Sequence, residues 1–511
     1  MKNNKKWFKK LFRRRLIVAL MILLQLAFVF FAVVYGSKYY SIVSSVLGII
    51  SLIVSLYILS NKSKSAFKLT WIFLILLFPL FGGLLYILFK VQSSTVKFER
   101  RRQAISEHAK PLYTTASCII PDQADIDNHK PLIKYLDSSA GFPAYSDTDV
   151  KYLESGEAKF ETLLHELRRA EKYIFLEYFI IQEGVMWDSI LEVLRQKAAA
   201  GVEVRVMYDD MGCFLLLPKN YAKTLEEYGI KCTVFNPFRP VFSAIQNNRD
   251  HRKIISIDGK VAFTGGINLA DEYINVHRRF GHWRDSSIMM RGAAARSLTL
   301  MFLEMWSTAT GTNEDYSAYM PSEVSASNNT IGYVQPYCDT PMDTENVGEQ
   351  VYLHILQRAR KYIYICTPYL IADDNMMSAL ALAAKSGVDV RIITPHVPDK
   401  KIVHTTTRSY YPDLIAAGVR IYEYTPGFIH SKTFVSDDCI ATVGTTNLDF
   451  RSLYLHFECG AVMYDCPAIA DVKADFLKTL ERCEEISRPP HRNNLFSRMW
   501  RAVLRLYAPL M

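Results

Sequence analysis

Two short stretches carry residues suited to phosphate chemistry, and they carry them at the same spacing. His251 and Lys253 are followed by Asp258 and then by the turn Gly265-Gly266-Ile267-Asn268; His430 and Lys432 are followed by Asp437 and then by Gly444-Thr445-Thr446-Asn447. In an extended strand residues i and i+2 face the same way, so each histidine shares a face with its lysine. The glycine turns let backbone and a small amide approach a ligand closely. Two histidines, two lysines and two asparagines meeting across a seam would cradle one tetrahedral anion. Histidines on opposite sides of that anion suit in-line displacement at phosphorus, one as nucleophile and one as acid. One His-x-Lys pair reads as a surface feature; two matching copies read as a site.

The elements that must position these motifs are also written twice. Phe160, Leu163, Leu164 and Leu167 recur at helical spacing before a β-branched and aromatic run at 172–181. A helix over about 187–200 stops at Gly201, and a strand follows from Val202. Val347, Val351 and Ile355 then mark a second such helix, before the run 361–371, a helix over about 375–386 stopped by Gly387, and a strand from Val388. AEKYIFL (170–176) aligns with ARKYIYI (359–365), and AGVEVRV (200–206) with SGVDVRI (386–392). The order of these matches predicts an internal duplication. The fold class is α/β, with repeats over 103–311 and 331–490 packed about a pseudo-twofold seam and joined by the polar linker 312–330.

Charge and hydropathy divide the chain differently. Residues 16–35, 41–59 and 69–89 are apolar runs of the length that crosses a bilayer as helix. They predict a multi-pass membrane anchor over 1–102, preceding the α/β repeats, although Pro79 and Gly82-Gly83 also suit a re-entrant segment. The first 102 residues sum to +16 and the remainder to −7. A basic stripe beside apolar runs suits anionic lipid headgroups, and the cluster at 97–102 favours an inside location for the repeats. The acidic remainder is the wrong profile for a nucleic-acid binder. The nine cysteines, scattered and without a CxxC pair, read as small hydrophobes rather than a disulfide framework or zinc site. The tail over 491–511 alternates apolar residues with Arg498, Arg501 and Arg505, an amphipathic helix for an anionic membrane or for the protein's own surface.

The paired HxKxxxxD motifs and their G-x-x-N turns resemble those of the phospholipase D superfamily. WIFLILLFPLFGGLLYILF, LEYFI, YDDMG, HWRD, TPYL and NLDFRS are similar to bacterial cardiolipin synthases over nearly the whole chain. The resemblance implies a phosphatidyltransferase without a cofactor or metal. His251 would become the covalent phosphatidyl-histidine and His430 would serve as acid and base, with the reverse assignment open. Lys253 and Lys432 would bind phosphoryl oxygens, completed by Asn268 and Asn447, while the motif aspartates Asp258 and Asp437 would support the turns. Asp285 and Glu458, about thirty residues beyond each motif, would orient the histidines. The pair His277 and His282 beside Asp285 makes a poor metal site. Family members usually carry serine after the motif glycine; Gly266 and Thr445 stand here, so one hydroxyl at the phosphate is missing. The implied substrate is phosphatidylglycerol, converted to cardiolipin and glycerol; hydrolysis, or transfer to another alcohol, is the alternative. Tyr178, Phe179, Tyr369 and Phe428 are candidates to screen the intermediate from water.

Overall fold

The computed structural model describes residues 38–78, 93–114, 128–238, 246–321, 330–487 and 494–511, with a few single positions between 23 and 30 and between 82 and 86. They divide into two compact units.

The larger unit holds two mixed sheets. The first contains β1 (Thr148–Leu153), β2 (Tyr173–Tyr178), β3 (Glu203–Asp209), β4 (Lys231–Phe235), β5 (Ile254–Ile257), β6 (Val261–Gly265) and β8 (Ser287–Gly292), while β7 (His282–Arg284) stands outside it. Its order is β1-β8-β6-β5-β2-β3-β4. From the second repeat come β9 (Tyr333–Asp339), β10 (Tyr362–Cys366), β11 (Leu370–Ile371), β12 (Asp389–Pro395), β13 (Arg420–Tyr424), β14 (Gly427–Ile429), β15 (Thr433–Ser436), β16 (Ile440–Gly444), β17 (Leu448–Asp449), β18 (Glu458–Tyr464) and β19 (Cys483–Glu485). The second sheet runs β19-β13-β12-β10-β15-β16-β18-β9. Read from the other edge and without β19, it repeats the first order strand for strand. The parallel trio β2-β3-β4 and its counterpart β10-β12-β13 are linked by right-sized helices, Val185–Ala199 and Asp374–Lys385. Gly201 and Gly387 follow those helices with φ of 90° and 93°, a backbone that other residues resist. Both central strands, β2 and β10, are buried on both faces, which is why they read as unbroken apolar runs.

Asp258 and Asp437 explain how each motif is held to its sheet. Each sits in the left-handed region, with φ of 54° and 52°. The Asp258 carboxylate accepts the backbone N–H groups of Glu171, Lys172 and Tyr173 at 2.8 Å each, and Asp437 accepts those of Arg360, Lys361 and Tyr362 at 2.6–2.9 Å. Each therefore ties the turn after the motif strand to the start of the central strand. The first part of the expected linker is not free: Glu314 pairs with the buried Arg205 at 2.8 Å, and the Tyr319 carbonyl accepts the Tyr173 hydroxyl at 2.6 Å.

The smaller unit contains helices Lys38–Ser60 and Ser65–Leu77 and most of the C-terminal helix Leu495–Tyr507. Among the described residues no helix is long and apolar enough to cross a membrane. The run 16–35 lies outside them apart from three positions, and the second run lies within the helix Lys38–Ser60. The run 69–89 is not one straight span. A straight helix would hold Trp71 and Tyr86 roughly 22 Å apart, yet their rings meet at 5.3 Å and Tyr86 packs with Ile58 and Ile75. The chain therefore reverses between Trp71 and Tyr86. The C-terminal helix docks through Leu504 and Tyr507: the Leu506 carbonyl accepts the Thr70 hydroxyl at 2.7 Å, and Tyr507 meets Phe73 edge-on. Phe496, Met499 and Trp500 stay exposed.

Replacing Asp258 or Asp437 by alanine orphans three backbone donors. Each variant should lose about 2–4 kcal/mol of unfolding free energy in urea titration.

Candidate active site

The motif histidines and lysines sit just before β5 and β15, where the chain leaves its own sheet and pairs with the other repeat. Asp250 forms a parallel bridge with Phe457: the Phe457 N–H donates to Arg249 and the His251 N–H to Phe457, both at 2.9 Å. At the matching place β14 runs parallel to β7, pairing Ile429 with Arg284, and the His430 N–H donates to the Arg284 carbonyl at 2.6 Å. One residue beyond each pairing stand a histidine and a carboxylate. His251 Nδ1 lies 3.0 Å from both oxygens of Glu458, and His430 Nδ1 lies 2.7 Å from Asp285 Oδ2. The carboxylates are thus exchanged: each histidine is oriented by the repeat to which it does not belong.

Further side chains fix this arrangement. Asp209, at the end of β3, accepts Arg249 Nε and Nη2 and the Asp250 N–H at 2.8–3.1 Å, which clamps the segment entering His251. The Thr445 hydroxyl bonds the Glu458 carboxylate, so it supports that carboxylate rather than facing a phosphate. Gly266 occupies the equivalent position, and a Cβ there would lie 2.1 Å from Asp285 Oδ1. The hydroxyl expected to be missing at Gly266 is excluded by the carboxylate that replaces it. Across the seam Arg284 pairs with Asp475, which also accepts the Tyr152 hydroxyl at 2.8 Å.

Lys253 and Lys432 are fully buried, and each ammonium donates to the carbonyl of its own motif histidine. Burial pulls Lys253 down to about 8 and Lys432 to about 7, with nearby Asp285 and Glu458 opposing the fall. Burial also pushes Asp285 up to about 6, against Lys432. Both histidines are held well below their ordinary value, by burial first and then by the two lysines, and the charge of His430 further lowers His251. The imidazoles are therefore neutral at pH 7. Two lysines set against two carboxylates, with both imidazoles neutral, leave the cluster close to charge balance, and an anion placed among them would restore the lysines' charge.

Asn268 and Asn447 are buried at the turns. Asn268 Oδ1 accepts the Ile180 N–H at 3.1 Å and its Nδ2 donates to Tyr273 at 2.6 Å, leaving one amide hydrogen. Asn447 Oδ1 has no hydrogen-bond partner among the described residues. Of the aromatic candidates, Phe179 meets His251 at 5.1 Å and Phe428 meets His430 at 6.0 Å. Tyr178 instead accepts Lys159 at 3.0 Å inside the core, and Tyr369 donates to Asp399 at 2.5 Å. Trp283 and Tyr273 stand against His430 at 5.3 and 5.8 Å. His282 turns away to Tyr424, at 3.0 Å.

Three residues escape the sequence reading. Lys159, wholly buried, holds the Ile267 carbonyl of the glycine turn at 2.9 Å; burial brings it down to about 7. Its signal was present, since Lys159 is four residues before Leu163 on the apolar face. Asp209 carried no signal beyond YDDMG. His456 lies with its ring 5.5 Å from that of His251, and nothing in its spacing from either motif announced it.

The family model "Cardiolipin synthase, PLD-like domain" matches residues 163–282 and again 352–480, once in each repeat, and "Phospholipase D-nuclease N-terminal" matches 46–90. "Cardiolipin synthase 2" of Bacillus cereus is 35% identical over 458 residues, 89% of this chain and 88% of that protein. "Cardiolipin synthase" of Halalkalibacterium halodurans is 35% identical over 447 residues, covering 87% and 88%. An uncharacterized Streptococcus mutans protein is 46% identical over 463 residues, covering 89% and 99%. The crystal structure of phosphatidylserine synthase from Haemophilus influenzae superposes with a TM-score of 0.55 at 17% identity, covering 71% of this chain and 95% of that one, a likeness of fold. Two such sheets meeting at paired His–Lys motifs define a phospholipase D-type enzyme. Within that class, the chain belongs to the cardiolipin synthase family.

Glu458→Gln and Asp285→Asn remove the carboxylate charge and let an amide NH2 face Nδ1, which imposes the wrong imidazole tautomer. Each should lower kcat by roughly 10³–10⁴-fold in a steady-state lipid assay. Thr445→Val, which loses one bond to Glu458, should cost about tenfold.

Proposed function

We propose that this enzyme transfers the phosphatidyl group of one phosphatidylglycerol to the glycerol hydroxyl of a second, giving cardiolipin and glycerol through a phosphohistidine. The observation that carries the reading is the exchanged pair of His–carboxylate contacts, because it orients one imidazole from each repeat by a carboxylate of the other.

The steps follow from proton positions. Glu458 accepts the Nδ1 proton of His251, which leaves the Nε2 lone pair free. That lone pair attacks phosphorus, the bond to glycerol breaks, and His430 gives its Nε2 proton to the leaving oxygen. Asp285 holds His430 by its other nitrogen and stabilises the imidazolium. In the free site His430 is neutral; a bound phosphodiester offsets the field of Lys253 and Lys432 and so favours its protonation. Neutral His430 then takes the proton of the incoming glycerol hydroxyl, whose oxygen displaces His251 from phosphorus. The lysines spread charge over the phosphoryl oxygens, with Asn268 and Asn447 as the neighbouring amides. Phe179, Phe428, Trp283 and Tyr273 wall the imidazoles from water, which favours transfer over hydrolysis.

The membrane is the source of substrate in this reading, and the smaller unit is its anchor. Ile42, Ile49, Ile53, Leu56, Leu69 and Leu76 are each about half exposed or more, an apolar surface larger than soluble proteins leave in water. A multi-pass arrangement in the cell membrane would cover it.

Purified protein given labelled phosphatidylglycerol should yield cardiolipin and glycerol in equal amounts. Phosphatidic acid and glycerol as the main products would replace transfer by hydrolysis. His251→Ala and His430→Ala should each abolish turnover, and label should remain protein-bound only where His251 is intact. The pH profile of kcat/KM should be a bell. Below about 6 Asp285 becomes protonated and no longer holds His430; above about 7–8 Lys432 and then Lys253 lose their charge. Lys432→Arg keeps its charge throughout, so it should move the alkaline limb upward.

A further inference from the structure

We propose that His251, His456 and Glu458 form a transition-metal site whose occupation by Zn²⁺ or a similar ion switches the enzyme off. The three lie together because the bridge between Asp250 and Phe457 sets His251 beside the segment 456–458, where His456 and Glu458, two residues apart, face the same way. One ligand atom from each falls within 4.8 Å of the other two. His251 Nδ1 is 3.0 Å from Glu458, and His456 Nδ1 is 3.7 Å from Glu458 Oε1. A tetrahedral ion with bonds of about 2.0–2.1 Å spaces its ligand atoms about 3.3 Å apart, within that range. Two imidazoles and a carboxylate are donors that first-row ions prefer.

The second observation is His456 itself. Its side chain is 9% exposed, and neither ring nitrogen has a hydrogen-bond partner among the described residues. A buried polar ring in that state is costly without a ligand. The proposed chemistry assigns it nothing: Glu458 already orients His251, and the lysines already meet the phosphate.

Inhibition follows from tautomerism. In the active arrangement the His251 proton is on Nδ1 and the Nε2 lone pair faces phosphorus. A metal bound at Nδ1 takes that lone pair, so the proton moves to Nε2 and no net proton is released. The nitrogen that must attack then carries a hydrogen. Glu458 is simultaneously drawn from hydrogen bond to metal bond. The inhibitory part of this proposal rests on His251 as a nucleophile; the binding part does not.

The test uses the full-length protein in phosphatidylglycerol vesicles, with ZnCl₂ as probe and a chromophoric chelator in competition. The parent should bind one Zn²⁺ per chain at this site, lose turnover as the site fills, and recover it with EDTA. Loss of an outer-shell partner alone costs about 10–100-fold in metal affinity, so His456→Asn, which removes a ligand, should weaken binding by at least that much. It should also make turnover insensitive to the zinc concentration that stops the parent. His456→Gln is the second variant, should the first fail to fold by its thermal transition. Zinc bound as tightly by both variants, or inhibiting them equally, would overturn the site. If the protein forms no cardiolipin, the chelator competition still decides the metal site, and the failure belongs to the catalytic reading.

Discussion

The structure depends on a short piece of parallel pairing made twice between the repeats. Phe457 beside Asp250, and Arg284 beside Ile429, set the register. A slip of one residue in either pairing would turn the carboxylate to the opposite face, because side chains alternate along a strand. Orientation of each imidazole is therefore a property of the seam. Neither repeat can provide it alone, since His251 needs Glu458 and His430 needs Asp285. Duplication here yields a site that exists only when both copies dock.

Burial then does the electrostatic work. Two lysines and two histidines are packed into one volume with two carboxylates, and the cost of charging them there is large. The lysines respond by falling toward neutrality, the histidines by remaining neutral, and Asp285 by rising. The resting pocket is poised to gain from an anion, whose charge would restore the ordinary state of the lysines. In the proposed mechanism, substrate binding and protonation of His430 would be coupled through one field.

The two halves are symmetric in chain path and asymmetric in detail. Gly266 gives way to Asp285, whereas Thr445 reaches across to Glu458. Asp209 clamps the first motif through Arg249, and the strand end that corresponds to it, Pro395 in β12, has no carboxylate to offer. Lys159 braces only the first glycine turn. These differences give the two histidines distinct surroundings, as the proposed division into nucleophile and acid would require. His456 adds one more asymmetry, since it stands at His251 alone.

The sequence by itself determined the duplication, the central strands and the functional residue types, because local periodicity and repeated spacing are written in neighbouring residues. The runs 172–181 and 361–371 hold β2, which ends at Tyr178, and β10 with the separate short β11, and Gly201 and Gly387 ended their helices. The supporting role of Asp258 and Asp437 came from the family resemblance, and their bonds to the central strand became visible only in the fold. Three matters waited for tertiary structure. Which carboxylate serves which histidine depends on pairing between residues more than 140 apart. The return of the chain between Trp71 and Tyr86 depends on packing that hydropathy alone does not record. The position of His456 was decided by the same seam, because proximity created by docking leaves no mark on local spacing.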